Sequence, residues 1–181
     1  MGKTDWKAEA KALRKELKAL SAAAPTAKGT AKAKPVSPLA PAGFPVLPRI
    51  AGAAFAAVEA GVRYQNRRDV MLVRLAPGTA VAGVFTRSAT RAGCIRDCQA
   101  KLAGRVPPGE GAAIVVNSGN SNAFTGHAGD AAVAAICNAT AAALGLPADR
   151  IFTSSTGVIG EPLPHQRITA RLPDLAAALS E

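Results

Sequence analysis

Ala112-Ala-Ile-Val-Val-Asn-Ser-Gly-Asn-Ser-Asn-Ala-Phe-Thr-Gly126, the alanine-rich run that follows it to Leu144, Gly145-Leu-Pro147 and then Arg150-Ile-Phe-Thr-Ser154 together decide the fold class. Ala112 to Val116 is a continuous apolar run of strand length, read as a buried strand. Asn117 to Gly126 reads as a polar loop. A helix is expected from about Asp130, a good N-cap residue, to Leu144, with Gly145 as a left-handed stop and Pro147 just beyond. Arg150 to Ser154 is the next expected strand, leading into Ser155-Thr-Gly-Val-Ile-Gly160. Strand, polar loop, helix and strand in that order make an α/β pattern.

Towards the N-terminus, Ala53 to Val62, Asp69 to Leu75 and Ala80 to Thr86 are short apolar or alternating runs. Gly61, Gln65-Asn66 and Pro77-Gly78 punctuate them, so strands and hairpins are expected here. Within Arg91 to Leu102, Cys94, Ile95, Cys98 and Leu102 recur at helical spacing, which predicts a helix ending at Gly104. Cys94 and Cys98 would share its buried face. Their spacing could serve a metal, but no paired His or further Cys stands nearby, so core thiols are the simpler reading. Towards the C-terminus, Leu163 to Glu181 contains Pro173-Asp174-Leu-Ala-Ala-Ala-Leu-Ser-Glu181, with Asp174 in the first turn of a helix that the sequence is expected to leave unfinished.

With 181 residues, 49% of them apolar and 19% charged, the chain is long enough for one domain with a real core. The net charge of +10 suggests nucleic acid until it is divided. Nine Lys or Arg against three Asp or Glu fall in residues 1–34, and 13 against nine fall in the rest. The excess therefore sits mostly in a tail. Residues 1–20 place Trp6, Ala10, Leu13, Leu17 and Leu20 at alternating spacings of four and three, an amphipathic helix pattern. Residues 21–48 form an Ala/Lys/Pro-rich linker, in which six prolines keep the chain extended. Residues 49–181 are the expected α/β domain. Apolar stretches such as Ala131 to Cys137 fall far short of the about 18 residues that a spanning helix needs, so no membrane role is expected. Three cysteines without framework spacing argue for a reducing compartment, which makes cytoplasm the expected location.

The common catalytic signatures are missing: there is no phosphate loop, no dinucleotide fingerprint and no Gly-x-Ser-x-Gly elbow. His127 and His165 have no metal-ligand companions and read as surface or capping residues. Two glycine-containing polar loops remain, each directly after an apolar strand. In the first, Asn117, Asn120 and Asn122 suit either a small polar ligand or a set of Asx turns satisfied within the loop. In the second, the Gly157 N–H and the Thr156 hydroxyl could hold a developing oxyanion, but from composition alone a tight turn at a strand end is the better reading.

Val115-Val-Asn-Ser-Gly-Asn-Ser-Asn-Ala-Phe-Thr-Gly126 and Thr153-Ser-Ser-Thr-Gly-Val-Ile-Gly-Glu-Pro-Leu-Pro164 resemble two signature segments of the ornithine acetyltransferase family, the bifunctional glutamate N-acetyltransferases of arginine biosynthesis. Gly83-Val-Phe-Thr-Arg87 is similar to a third. The resemblance covers about residues 38 to 181 and leaves the basic tail outside. It implies a layered α/β/β/α fold shared by two chains that arise when a precursor cleaves itself before a threonine. That threonine then takes the acetyl group from N2-acetylornithine and passes it to glutamate. Thr156 and Gly157 match the family's oxyanion-hole pair, and no cofactor or metal is implied. The family's cleavage segment lies beyond Glu181. The chain is accordingly expected to be a truncated part of the α chain, inactive alone, with apolar faces left for a β chain in a dimer of αβ heterodimers.

Two other readings stand beside this one. A related N-terminal-nucleophile aminopeptidase would pass the acyl group to water. A binding module would engage nucleic acid through the basic arm, in a strongly salt-dependent way. Against the latter, Lys28, Lys32 and Lys34 lack interleaved aromatic residues, and the body carries no recognition motif.

Overall fold

The computed structural model describes residues 11–16, 38–43, 45–104 and 109–181, and divides into a unit of residues 1–46 and one of 47–181. In the first unit residues 11–16 are helical, with exposed side chains. The rest of the helix expected over 1–20, and most of the linker expected over 21–48, lie outside the described residues.

The second unit runs β1 (Ala53–Val58), β2 (Val70–Leu75), α1 (Gly93–Ala103), β3 (Ala112–Asn120), α2 (Gly126–Leu144), a 3-10 turn (Ala148–Arg150), β4 (Ile151–Val158), α3 (His165–Thr169) and α4 (Leu172–Ala177). The sheet has the order β1-β2-β3-β4. The first two pairings are antiparallel and β3 with β4 is parallel, so α2 serves as the crossover that a parallel pair requires. The mixed α/β class read from the sequence is the fold observed.

Registers decide which side chains meet the helices. Ala56, Leu72 and Val115 stand in one row and are buried together with Val133, Ile136 and Cys137 of α2. Ile168, Leu172 and Leu175 complete this core. Each such aliphatic side chain contributes about 1.5 to 3 kcal/mol by leaving water. On the opposite face Phe152 and Ile114 are covered by Val81, Phe85 and Leu102, whereas Phe55 is 42% and Met71 37% exposed. Among the described residues no helix is long and apolar enough to cross a membrane.

Several expectations are corrected. Ala80 to Thr86 forms no strand: the sheet's β4 side is already faced by this segment, which lays Val81 and Phe85 on the sheet instead of pairing its backbone. β1 ends at Val58, short of Val62, because the Asp69 carboxylate accepts from the Ala60 and Val62 amides at 2.7 and 2.6 Å and folds the chain back. α1 begins at Gly93, two residues later than expected, and ends before Gly104 as expected. β3 continues through Asn120, since pairing with β4 extends into the polar residues. α2 begins at Gly126, and Asp130 pairs with Arg96 of α1 rather than capping. Gly145 does adopt the left-handed conformation, at φ 65°. α4 carries Asp174 in its first turn, but it closes within the chain, where the Ala178 amide donates to the Asp174 carbonyl at 3.0 Å. Beyond it Ser180 and Phe55 exchange backbone hydrogen bonds of 3.2 and 2.8 Å.

Cys94, Cys98 and Cys137 are free and buried. Burial pushes all three thiols up, Cys137 to about 11. At pH 8 they are therefore protonated and shielded, and a thiol reagent should label none of them in the folded protein over the time in which all three react in denaturant. The linkage has the same sign for each raised group: stability is fully present below the unfolded thiol's value, about 8.5, and is lost as pH rises towards the folded one. For Cys137 that window closes at about 11.

Candidate active site

β3 and β4 run side by side to their C-terminal ends, where Ser118 is paired with Thr156 and Gly119 with Gly157, just before a register irregularity at Asn120. Gly119 and Gly157 have φ of +99° and +134°. A Cβ on Gly157 would lie 2.3 Å from the Gly119 carbonyl carbon and 2.6 Å from the Asn120 nitrogen. Only glycine fits this approach. Thr156 and Gly157 are both exposed, and the Thr156 hydroxyl has no hydrogen-bond partner among the described residues. The pair thus lies within β4 rather than in a loop after it. A free hydroxyl beside an open stretch of backbone is a donor arrangement suited to an anionic oxygen.

The three asparagines are turned inward. Asn117 donates to the Asn120 carbonyl at 2.9 Å and accepts from the Ser155 hydroxyl at 2.6 Å. Asn120 donates to the Glu161 carbonyl at 3.0 Å and accepts from the Asn122 amide at 2.6 Å, an Asx turn. Asn122, fully buried at φ 49°, donates to the Gly129 carbonyl at 3.0 Å and accepts from the Thr125 hydroxyl at 3.1 Å. Of the two readings open for this segment, the self-satisfied one describes it. Its product is rigidity: the Ser121 amide and hydroxyl both donate to the Val158 carbonyl at 2.9 Å, and the Gly160 amide donates to the Ala123 carbonyl at 2.9 Å. These bonds fix the end of β4 and with it Thr156 and Gly157.

Sequence reasoning missed the cationic side chains that border this place. In the connection from β1 to β2, Arg67 donates to the Ser118 hydroxyl at 2.9 Å, and Arg63 forms an ion pair with Glu161. Tyr64 lies between them, its ring centroid 5.9 Å from the Arg63 guanidinium and 4.9 Å from that of Arg67. The signal available was the cationic run Arg63-Tyr-Gln-Asn-Arg-Arg68 around the Gln65-Asn66 turn. His127 lies in the first turn of α2 and His165 opens α3. Cys94 and Cys98 sit among buried residues on one face of α1.

A cavity of about 310 Å³ opens between the N-termini of α1 and α2, lined by Arg91, Arg96, Asn122 and Phe124 among others. Arg91 Nη1 donates to Gln99 at 2.9 Å while its Nε is buried without a partner among the described residues, and Arg96 pairs with Asp130.

A profile of the ArgJ family matches residues 54–181, which contain the whole sheet from its second residue onward and the Thr156–Gly157 pair. The chain belongs to the ArgJ family. Among its curated relatives, an arginine biosynthesis bifunctional protein ArgJ from Ruegeria pomeroyi is 62% identical over 151 residues, covering 83% of this chain and 36% of that protein. The protein of that name from Bradyrhizobium diazoefficiens is 49% identical over 141 residues, covering 78% and 33%. The chain therefore spans about a third of the length of the curated ArgJ proteins it matches. Among solved structures, ornithine acetyltransferase complexed with ornithine from Mycobacterium tuberculosis matches with a TM-score of 0.65 at 35% identity, covering 72% of this chain and 68% of that one. The ArgJ protein from Bacillus halodurans matches with a TM-score of 0.62 at 29% identity, covering 69% and 63%.

Proposed function

We propose that this chain supplies the oxyanion-binding side of a glutamate N-acetyltransferase, in which acetyl passes from N2-acetylornithine to glutamate. The observation that carries the reading is the Thr156–Gly157 pair, exposed and held rigid at the paired ends of β3 and β4 in a chain of the ArgJ family. The nucleophile is an N-terminal threonine on a second, β, chain of the same precursor. Its hydroxyl oxygen attacks the acetyl carbonyl carbon and its own amine takes the proton. The carbonyl oxygen becomes an oxyanion, to which the Thr156 hydroxyl and the Gly157 backbone donate. Collapse breaks the C–N bond, the proton passes to the departing nitrogen, and ornithine leaves behind an acetyl ester. The glutamate amine then attacks the ester through the same oxyanion, and N-acetylglutamate leaves as the threonine regains its proton.

The exposed apolar positions Phe55 and Met71, on the sheet face away from α2, suit coverage by a further layer, as an α/β/β/α arrangement requires. That layer would come from the β chain, with two αβ units in the assembly, located in the cytoplasm. Thr156 and Gly157 alone cannot complete the reaction, so residues 1–181 without the β chain are inactive.

The test is product analysis with the complete protein, N2-[13C]acetylornithine and glutamate. Label in N-acetylglutamate is the expected result. Label in free acetate alone would identify water as the acceptor and replace the transferase reading by a hydrolase of the aminopeptidase kind.

A further inference from the structure

We propose that Arg67 binds the α-carboxylate of the amino acid whose nitrogen gives up or receives the acetyl group. The inference rests on the acetyltransferase reading and adds a substrate contact to it.

The geometry starts from the register. Ser118 and Thr156 are partners across β3 and β4, so their side chains stand on the same face of the sheet, about 5 Å apart. Arg67 Nη2 donates to Ser118 Oγ at 2.9 Å, which anchors the guanidinium on the residue paired with Thr156. The ring of Tyr64, 4.9 Å from the guanidinium, supports it from another direction. Both contacts are with neutral groups. Among the described residues Glu161 is engaged by Arg63, Asp130 by Arg96 and Asp174 by Arg171, and Arg67 has no carboxylate partner. A guanidinium has five N–H donors, and here one is occupied by Ser118. The remaining donors form a planar fork suited to a carboxylate.

Substrate chemistry sets the distance. In an N-acyl amino acid the α-carboxylate carbon is three bonds from the acyl carbonyl carbon, roughly 3 to 4 Å away. When the carbonyl oxygen rests against Thr156, the carboxylate falls within reach of a guanidinium anchored on the adjacent strand. Acetylornithine and glutamate both carry this carboxylate on the carbon that bears the reacting nitrogen, so one residue serves both half-reactions. Arg63 cannot take this part, because Glu161 already neutralises it.

The test compares two acetyl donors in the complete protein, N2-acetylornithine and N-acetylputrescine, the same molecule without its carboxylate. The ratio of their kcat/KM values is the readout. Arg67→Ala is expected to reduce the preference for N2-acetylornithine by about 10- to 100-fold, mostly through KM, and Arg67→Lys should restore part of it. Arg67 is exposed, so the fold should tolerate the change, and Arg67→Gln provides a second neutral variant. A ratio unchanged within about twofold would overturn the proposal even if both rates fell, since a merely structural role moves both together. Absence of transfer from either donor by the unaltered protein would instead overturn the acetyltransferase reading.

Discussion

In the complete protein, replacing Thr156 by alanine is expected to lower kcat for the proposed acetyl transfer by about 100- to 1,000-fold and to shift KM for N2-acetylornithine by less than about threefold. The split follows from when the contact is made. The acetyl carbonyl oxygen of the bound donor carries little charge, whereas the tetrahedral intermediate carries a full one, so a donor aimed at it acts chiefly in the transition state. Thr156 can be removed without collateral damage because it is exposed and its hydroxyl has no partner among the described residues. Thr156→Ser keeps the hydroxyl and should keep most of the rate. Unchanged kcat in Thr156→Ala, or loss of folding cooperativity, would take Thr156 out of this role.

The second large effect belongs to Gly157, and it is structural before it is catalytic. At φ +134° a side chain is already disfavoured, and its Cβ would meet backbone atoms of Gly119 and Asn120 at 2.3 to 2.6 Å, which cannot yield as a flexible side chain would. Gly157→Ala should therefore force apart the ends of β3 and β4 and cost on the order of 3 kcal/mol or more, read as a fall in the denaturant midpoint together with loss of acetyl transfer. Gly145→Ala provides the control. That glycine also has positive φ, at +65°, but nothing lies within 4 Å of its would-be Cβ, so only about 1 kcal/mol should be lost. Equal effects at the two positions would mean that close strand approach is not what requires Gly157.

The contrast between these glycines also shows what the sequence could convey. Gly145 was legible because its signal is local: an alanine-rich helix, a glycine, then a proline. The α/β order around β3, α2 and β4 was legible for the same reason, since apolar runs and punctuators lie next to one another in the chain. The extension of β3 through Asn117-Ser-Gly-Asn120 was not, because polar residues become strand only when β4 supplies a partner. Ala80 to Thr86 failed in the opposite sense. Its alternation is strand-like, but whether a strand forms depends on pairing that no local pattern records, and its apolar residues were used to cover Phe152 instead. Asp130 looked like a cap from its place before the helix, whereas Arg96, thirty-four positions away, draws it into an ion pair.

The candidate site divides along the same line. Thr156 and Gly157 were singled out by motif resemblance, and the close approach of Gly119 explains why glycine stands at 157. The asparagines looked equally able to hold a ligand or one another, and only their hydrogen-bond partners, from Gly129 to Glu161, separate the two. Arg67 was invisible because its significance lies in a bond to Ser118 and in the partnering of Ser118 with Thr156.

The most direct test of the central claim is the intact mass of the complete protein after incubation with N2-acetylornithine and no glutamate, followed by sequencing of each chain's N-terminus. The expected result is two chains, the second beginning with threonine and heavier by one acetyl group, which disappears when glutamate is added. A single uncleaved chain, or two chains of which neither gains an acetyl group, would contradict the account.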